Sequence, residues 1–374
     1  MPESIPVPKG TLSRIFDETG YDSSNLSIRE TNRLASLISK KCGIDFVRME
    51  MGIPNIPTPE IAKEAEKKAI DAGLQGSYPP FDGIPQLKKA GCGFVKAFLN
   101  LDVEPEHVIP TCGSLQGGYI SQALAGNMFP GKRTILYLDP TFPVTRYQAH
   151  FLGLQSDGIE LYDNRGSKLV DAIEKRISKG DVGGILWSSP NNPSWSCLTE
   201  IELEEIARIC DENQILAIED LAYFGMDFRK DYSVPCSEPY VPSVSKFGTN
   251  WITLISASKA FSFPGPRCAI AVISPKLNDR KFEELETFCG RSRFGHAFSL
   301  GGLYVTTSGA SHTAQYALAA VLESATKGEF NFIDATRVYG ERASRVRKIF
   351  LKYGFEQVYD KDMDEPVGDG FYLT

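Results

Sequence analysis

The run Ser256-Ala-Ser-Lys259-Ala-Phe-Ser-Phe-Pro-Gly-Pro-Arg267 sets a lysine behind two small hydroxyl residues and closes on an arginine. Residues 251–255 ahead of it and 268–273 behind it are apolar and rich in β-branched side chains, the pattern of buried strands. A lysine held between two such strands loses solvation of its ammonium, which disfavours the charged form and lowers its pKa. An amine that is partly uncharged near neutral pH can attack a carbonyl, the chemistry of Schiff-base enzymes. A solvated lysine in a surface hairpin fits the same short stretch, so other segments must decide.

Two of them do. Residues 215–220 form an apolar run ending on Asp220, with Tyr223 three residues later. Residues 182–187 form another, followed by Ser189-Pro-Asn-Asn192-Pro193. These three segments, in this order, resemble the fold-type I pyridoxal-phosphate enzymes, in particular the class I/II aminotransferases, over residues 49–374. The resemblance implies pyridoxal 5′-phosphate as cofactor, bound as a Schiff base on Lys259. Asp220 would hold the proton on the pyridine nitrogen, and Tyr223 and Asn192 would hydrogen-bond the ring's phenolic oxygen. Arg267 stands 267 − 259 = 8 residues past the lysine, the family's spacing for a phosphate arginine. A guanidinium grips phosphate in bidentate fashion, as a lysine cannot.

Further positions follow from the same resemblance. Ser256 would give its hydroxyl to the phosphate, with Ser258 a small neighbour. Gly113, Ser114 and Leu115 open an apolar helix after a short strand, where unpaired backbone N–H groups suit an anion. Phe142 would stack on the pyridine ring. Tyr78 would reach across a homodimer interface to the partner's cofactor phosphate. Gly52 matches a glycine turn beside the substrate carboxylate, and Arg293 (with Arg291) a place where some members bind a side-chain carboxylate. The chain departs from the family at Asn192-Pro193-Ser194-Trp195, where Asn-Pro-Thr-Gly is usual. It also ends at Thr374, ahead of the family's carboxylate-binding arginine, so the natural protein is expected to be longer.

The activity implied is transfer of an amino group from an L-amino acid to a 2-oxo acid by a ping-pong mechanism. A C–S β-lyase could use the same fold and lysine. A non-catalytic sensor ranks last, because only about 25–30 residues precede the fold, too few for a DNA-binding helix-turn-helix.

The elements that must position these residues alternate. Strands at 108–111, 134–138, 159–162, 182–187, 215–220, 251–255 and 268–273 are separated mostly by helical patterns, which predicts a largely parallel sheet covered by helices, an α/β class. Ligands then belong at the carboxyl ends of the strands. We expect an N-terminal arm and small-domain part over 1–50, a large cofactor domain over 51–290, and linking helices with a smaller α+β domain over 291–374. Residues 1–25 read as extended and 291–309 as irregular. Residues 355–359 and 370–374 read as strands.

Composition narrows the rest. A chain of 374 residues with 42% hydrophobic content can bury a large core and a smaller one. A net charge of −7 argues against nucleic-acid or anionic-membrane partners. Four isolated histidines without ligand spacing predict no metal. Eight scattered cysteines without a CxxC pair read as free thiols in a reducing compartment. With no signal-like N-terminus and no membrane-length apolar run, the expected location is cytoplasmic.

Overall fold

The computed structural model describes residues 7–374. They divide into a unit ending at Ile53 and a second running from Pro54 to Thr374. The first contains α1 (Thr11–Thr19) and α2 (Ile28–Cys42). The expected extended arm is therefore helical over α1, where Ile15 is buried and forms the inner face; residues 1–6 lie outside the described residues. α2 starts ahead of the expected Thr31 because Ser27 and Glu30 form a reciprocal capping box.

In the second unit α3 (Glu60–Asp71) and α4 (Pro85–Leu99) precede β1 (Val108–Thr111). Helices and strands then alternate through α5 (Ser114–Ala125), β2 (Thr134–Asp139), α6 (Pro143–Phe151), β3 (Gln155–Glu160), α7 (Ser167–Ile177), β4 (Val182–Ser188), α8 (Glu200–Glu212) and β5 (Leu216–Leu221). A long loop leads to β6 (Trp251–Ser256) and β7 (Ala269–Ile273). The seven strands lie in the order β1-β7-β6-β5-β4-β2-β3. β7 runs antiparallel to both its neighbours, and the pairs from β6 to β3 are parallel.

The inner strands are apolar throughout because helices cover both faces. Successive residues feed different cores: Leu136 and Leu138 join one cluster, Ile135 and Tyr137 the other. β3 begins earlier than the expected 159–162. It is an edge strand, and its exposed Gln155 and Ser156 pair with β2 without an apolar signal. Gly91, inside α4, reflects close packing, since a Cβ there would stand 2.7 Å from Val108 Cγ1.

After β7 come α9 (Pro275–Asp279) and α10 (Glu283–Cys289). The stretch expected to be irregular is largely helical: α11 (Phe294–His296), a π-helical segment Ala297–Tyr304 and α12 (Val305–Thr307). Its glycines permit close contact between helices. A Cβ on Gly302 would lie 2.4 Å from Ile120, and one on Gly301 2.7 Å from Cys289. α13 (His312–Thr326) and α14 (Phe332–Lys352) follow.

The terminal strands expected at 355–359 and 370–374 do not form a ladder. They share a hydrogen bond from Val358 N–H to the Thr374 carbonyl (2.9 Å), while the paired strands are β8 (Lys361–Asp362) and β9 (Glu365–Pro366). An alternating pattern makes a strand only where a partner edge is available. Among the described residues no helix is long and apolar enough to cross a membrane.

Candidate active site

Register in the sheet gathers the chemistry-bearing residues. Ser188, the last residue of β4, pairs with Asp220, and Leu221 of β5 pairs with Ile255 of β6. The three strands are parallel and level, so the loops bearing Asn192, Asp220 with Tyr223, and Lys259 leave from one end. The Asn192 N–H donates to Ser188 Oγ (3.2 Å), and its side-chain Nδ2 donates to Tyr223 Oη (3.2 Å). Asn191 Nδ2 donates to the Pro140 carbonyl (2.8 Å), tying this loop to the turn that carries Phe142.

Asp220 and its neighbour Glu219 are adjacent acids on alternating faces of β5. Burial pushes both carboxyls up to about 7. Their partners differ. Glu219 accepts from the Val244 N–H (3.2 Å) and Thr253 Oγ1 (3.1 Å), with Ser243 adding a third hydrogen bond. Asp220 accepts from Ser114 Oγ at 3.4 Å through Oδ2, while its buried Oδ1 has no hydrogen-bond partner among the described residues. The Ala222 backbone N–H adds a weaker stabilising influence on the carboxylate without closing a hydrogen bond to Oδ1. An orphaned buried acceptor of this kind costs about 1–3 kcal/mol, which a bound donor would offset.

Lys259 is half-buried after β6. Burial, with the positive charge of Arg267 as a second cause, brings its ammonium down to about 8. Its Nζ lies over the Phe371 ring, 5.2 Å from the centroid. The lowered value is what the flanking strands predicted, and it makes a free-base amine accessible near neutral pH.

On the β1 side, Gly113 precedes α5 at φ 76°, a conformation favouring glycine. A Cβ there would stand 2.5 Å from Arg267 Nη2, so the guanidinium lies directly against the glycine turn. Arg267 itself takes φ 59° and donates from Nη1 to the Pro264 carbonyl (3.0 Å) and to Ser258 Oγ (3.2 Å). Ser256 Oγ accepts from the Ser258 N–H (3.2 Å). Ser258, read as a small neighbour, is thus the hydroxyl that steadies the arginine. The Leu115 carbonyl accepts from Gln148 Nε2 (2.9 Å), joining α5 to α6. Guanidinium, serine hydroxyls and a glycine turn opening a helix form a set suited to a phosphate.

Four other expected residues have surroundings of their own. Tyr78 is 86% exposed on the loop before α4 and lines an open groove with residues 307–313. Arg293 caps α11 and is ion-paired to Asp279 and, at 3.9 Å, to Glu106, none of which belongs to the Lys259 cluster. Gly52 lies in the N-terminal unit. Phe142 is half-buried at the start of α6.

Three residues that the sequence did not single out as site residues pack at its centre. Tyr372 Oη is 2.8 Å from Tyr223 Oη, and Trp195 and Phe371 lie 5.4 and 5.7 Å from the Tyr223 ring. Their signal was present only in part, as the departure at Trp195 and the Gly-Phe-Tyr run.

A mostly parallel sheet with a lysine, an acid and a phosphate-suited cup at its carboxyl edge defines the fold of the pyridoxal-phosphate transferases. The model of the family "Aminotransferase class I and II" matches residues 44–356, and the chain belongs to that family, whose cofactor is pyridoxal 5′-phosphate. LL-diaminopimelate aminotransferase 2 of Nostoc sp. is 28% identical over 247 residues, 65% of this chain and 60% of that protein. The aspartate aminotransferase of Pyrococcus horikoshii is 29% identical over 248 residues, 65% of this chain and 59% of that protein. The chain thus spans about three fifths of the length of these curated relatives. In fold it is similar to an aspartate aminotransferase double mutant of Thermus thermophilus, with a TM-score of 0.71 and 22% identity over 94% of this chain and 82% of that one.

The residues present fit the family's cofactor. Asp220 Oδ1 is a buried, unfilled acceptor of the kind a protonated ring nitrogen would need, Lys259 is a depressed amine, and Arg267 meets the Gly113 turn in a set of donors that would suit a phosphate.

Proposed function

We propose that the protein is an aminotransferase that moves an amino group from an L-amino acid to a 2-oxo acid in two half-reactions. The observation that carries this reading is the buried, unpartnered Oδ1 of Asp220, at the same sheet edge as the low-pKa Lys259. Pyridoxal phosphate, when bound, supplies an electron sink for bond-breaking at an amino acid's Cα.

In this reading the chain's residues divide the work. Asp220 holds a proton at the pyridine nitrogen. Arg267, Ser256 and the turn at Gly113, Ser114 and Leu115 bind the phosphate, and Phe142 covers the ring. The Gly113 N–H is held by the Thr111 carbonyl (2.8 Å), so that the N–H groups of Ser114 and Leu115 face the phosphate. Asn192 and Tyr223 donate to the phenolic oxygen. Lys259 Nζ would hold the cofactor and, as a free amine, would move the proton at Cα. Residues 51–290 act as the cofactor domain and 291–374 as the small domain. The working unit is a homodimer, with Tyr78 of each copy serving the other's phosphate.

Borohydride reduction of the loaded protein and peptide mapping test the assignment. The pyridoxyl group is expected on Lys259, and its recovery on another lysine would overturn the site. Product analysis tests the reaction. A 2-oxo acid with a new amino acid supports transamination, whereas thiol, ammonia and pyruvate would mark a β-lyase.

A further inference from the structure

We propose that Tyr372 is a positioning residue that fixes the direction in which Tyr223 donates its hydroxyl proton. A phenol has one proton and two acceptor lone pairs. Asn192 Nδ2 is a donor only, so its 3.2 Å contact occupies one lone pair of Tyr223. Tyr372 Oη, 2.8 Å away, can donate or accept. When Tyr372 donates, both lone pairs of Tyr223 are filled and the Tyr223 proton is directed to a third group. When Tyr372 accepts, that proton is spent between the two tyrosines. An anionic oxygen in front of Tyr223 selects the first arrangement, because each donor in such a chain polarises the next.

The segment bearing Tyr372 is held by the residue at which this chain departs from the usual Asn-Pro-Thr-Gly loop. Trp195 replaces the usual glycine of the Asn-Pro loop, yet keeps a left-handed backbone at φ 63°. A non-glycine residue there costs about 1–2 kcal/mol, and the indole is fully buried. It covers Gly370 so closely that a Cβ on that glycine would lie 1.8 Å from Trp195 Cε2. Phe371 and Tyr372 follow directly. Tyr372 is edge-on to Tyr223 with ring centroids 5.4 Å apart, and Phe371 lies under Lys259 Nζ. The Trp195 and Gly370 pair thus fixes the Tyr372 hydroxyl against Tyr223. Among the ionisable groups acting on Tyr223 are Tyr372 and Asp220.

The inference rests on the proposed roles of Lys259 and Tyr223, and the test separates the two. The loaded enzyme and its Tyr223→Phe, Tyr372→Phe and doubly substituted forms are titrated by the visible absorbance of bound pyridoxal phosphate. Donors to the phenolic oxygen stabilise its anionic form, so removing them raises the midpoint. Tyr223→Phe should raise it most. Tyr372→Phe should raise it by about half a pH unit, a fraction of one hydrogen bond's worth. In the Tyr223→Phe background, Tyr372→Phe should add nothing. Gly370→Ala, which drives a methyl into Trp195, should shift the midpoint in the same direction. An unchanged midpoint in Tyr372→Phe with Lys259 labelled by borohydride overturns the inference alone, as does an equal shift in the Tyr223→Phe background. Loss of labelling at Lys259 in the unsubstituted protein overturns both.

Discussion

Replacing Asp220 with asparagine should have opposite effects on the cofactor-free and loaded protein. Free of cofactor, the carboxyl is raised from 3.8 to about 7 by burial. The folded state binds its proton more tightly than the unfolded state does. The associated stability is therefore present below about pH 4, declines as the pH rises and is gone above pH 7. The full shift corresponds to about 4 kcal/mol, and we expect about 2–4 kcal/mol, since the residue as a whole is half-buried. Asparagine has no such titration. Urea unfolding of the stripped proteins at pH 4.5 and pH 8 should show the wild type losing stability relative to Asp220→Asn by most of that amount. Loaded protein should reverse the order, because deleting one partner of a buried charge pair costs about 2–5 kcal/mol and cofactor retention falls accordingly. If the two stripped proteins keep parallel stability from pH 4.5 to pH 8, Asp220 Oδ1 is solvated or paired and the argument from its orphaned oxygen fails.

Arg267→Lys should weaken cofactor retention about 10–100-fold by losing the bidentate grip, with little effect on thermal stability, as read by equilibrium dialysis against pyridoxal phosphate. Gly83→Ala should destabilise the fold by more than about 2 kcal/mol without altering the absorbance of retained cofactor, because φ is 107° and the added carbon would stand 2.3 Å from Pro110 Cγ; calorimetry checks it. Tyr78→Phe should lower cofactor retention in a protein that light scattering shows as a dimer. A monomer at micromolar concentration, or unchanged retention, would count against the partner-subunit role.

The sequence alone determined what local chemistry and periodicity control. The alternation of apolar runs with amphipathic stretches gave most elements of the sheet and its covering helices, because a strand buried on both faces must be apolar along its length. The chemistry of Lys259 was legible for the same reason: two strands flank it, and burial follows from them. Tertiary structure decided what depends on partners far along the chain. β3 is an edge strand whose residues 155–158 carry no apolar signal, and the glycines of residues 297–304 mark helix contacts with Ile120 and Cys289. Glu219 and Asp220 are equivalent as letters, and only the placement of Ser243, Thr253 and Val244 leaves one satisfied and the other open. Tyr372 reaches Tyr223 across 149 residues, through the Trp195 and Gly370 contact. A hydrogen bond of that kind has no periodicity to read, since its partners are fixed by packing alone.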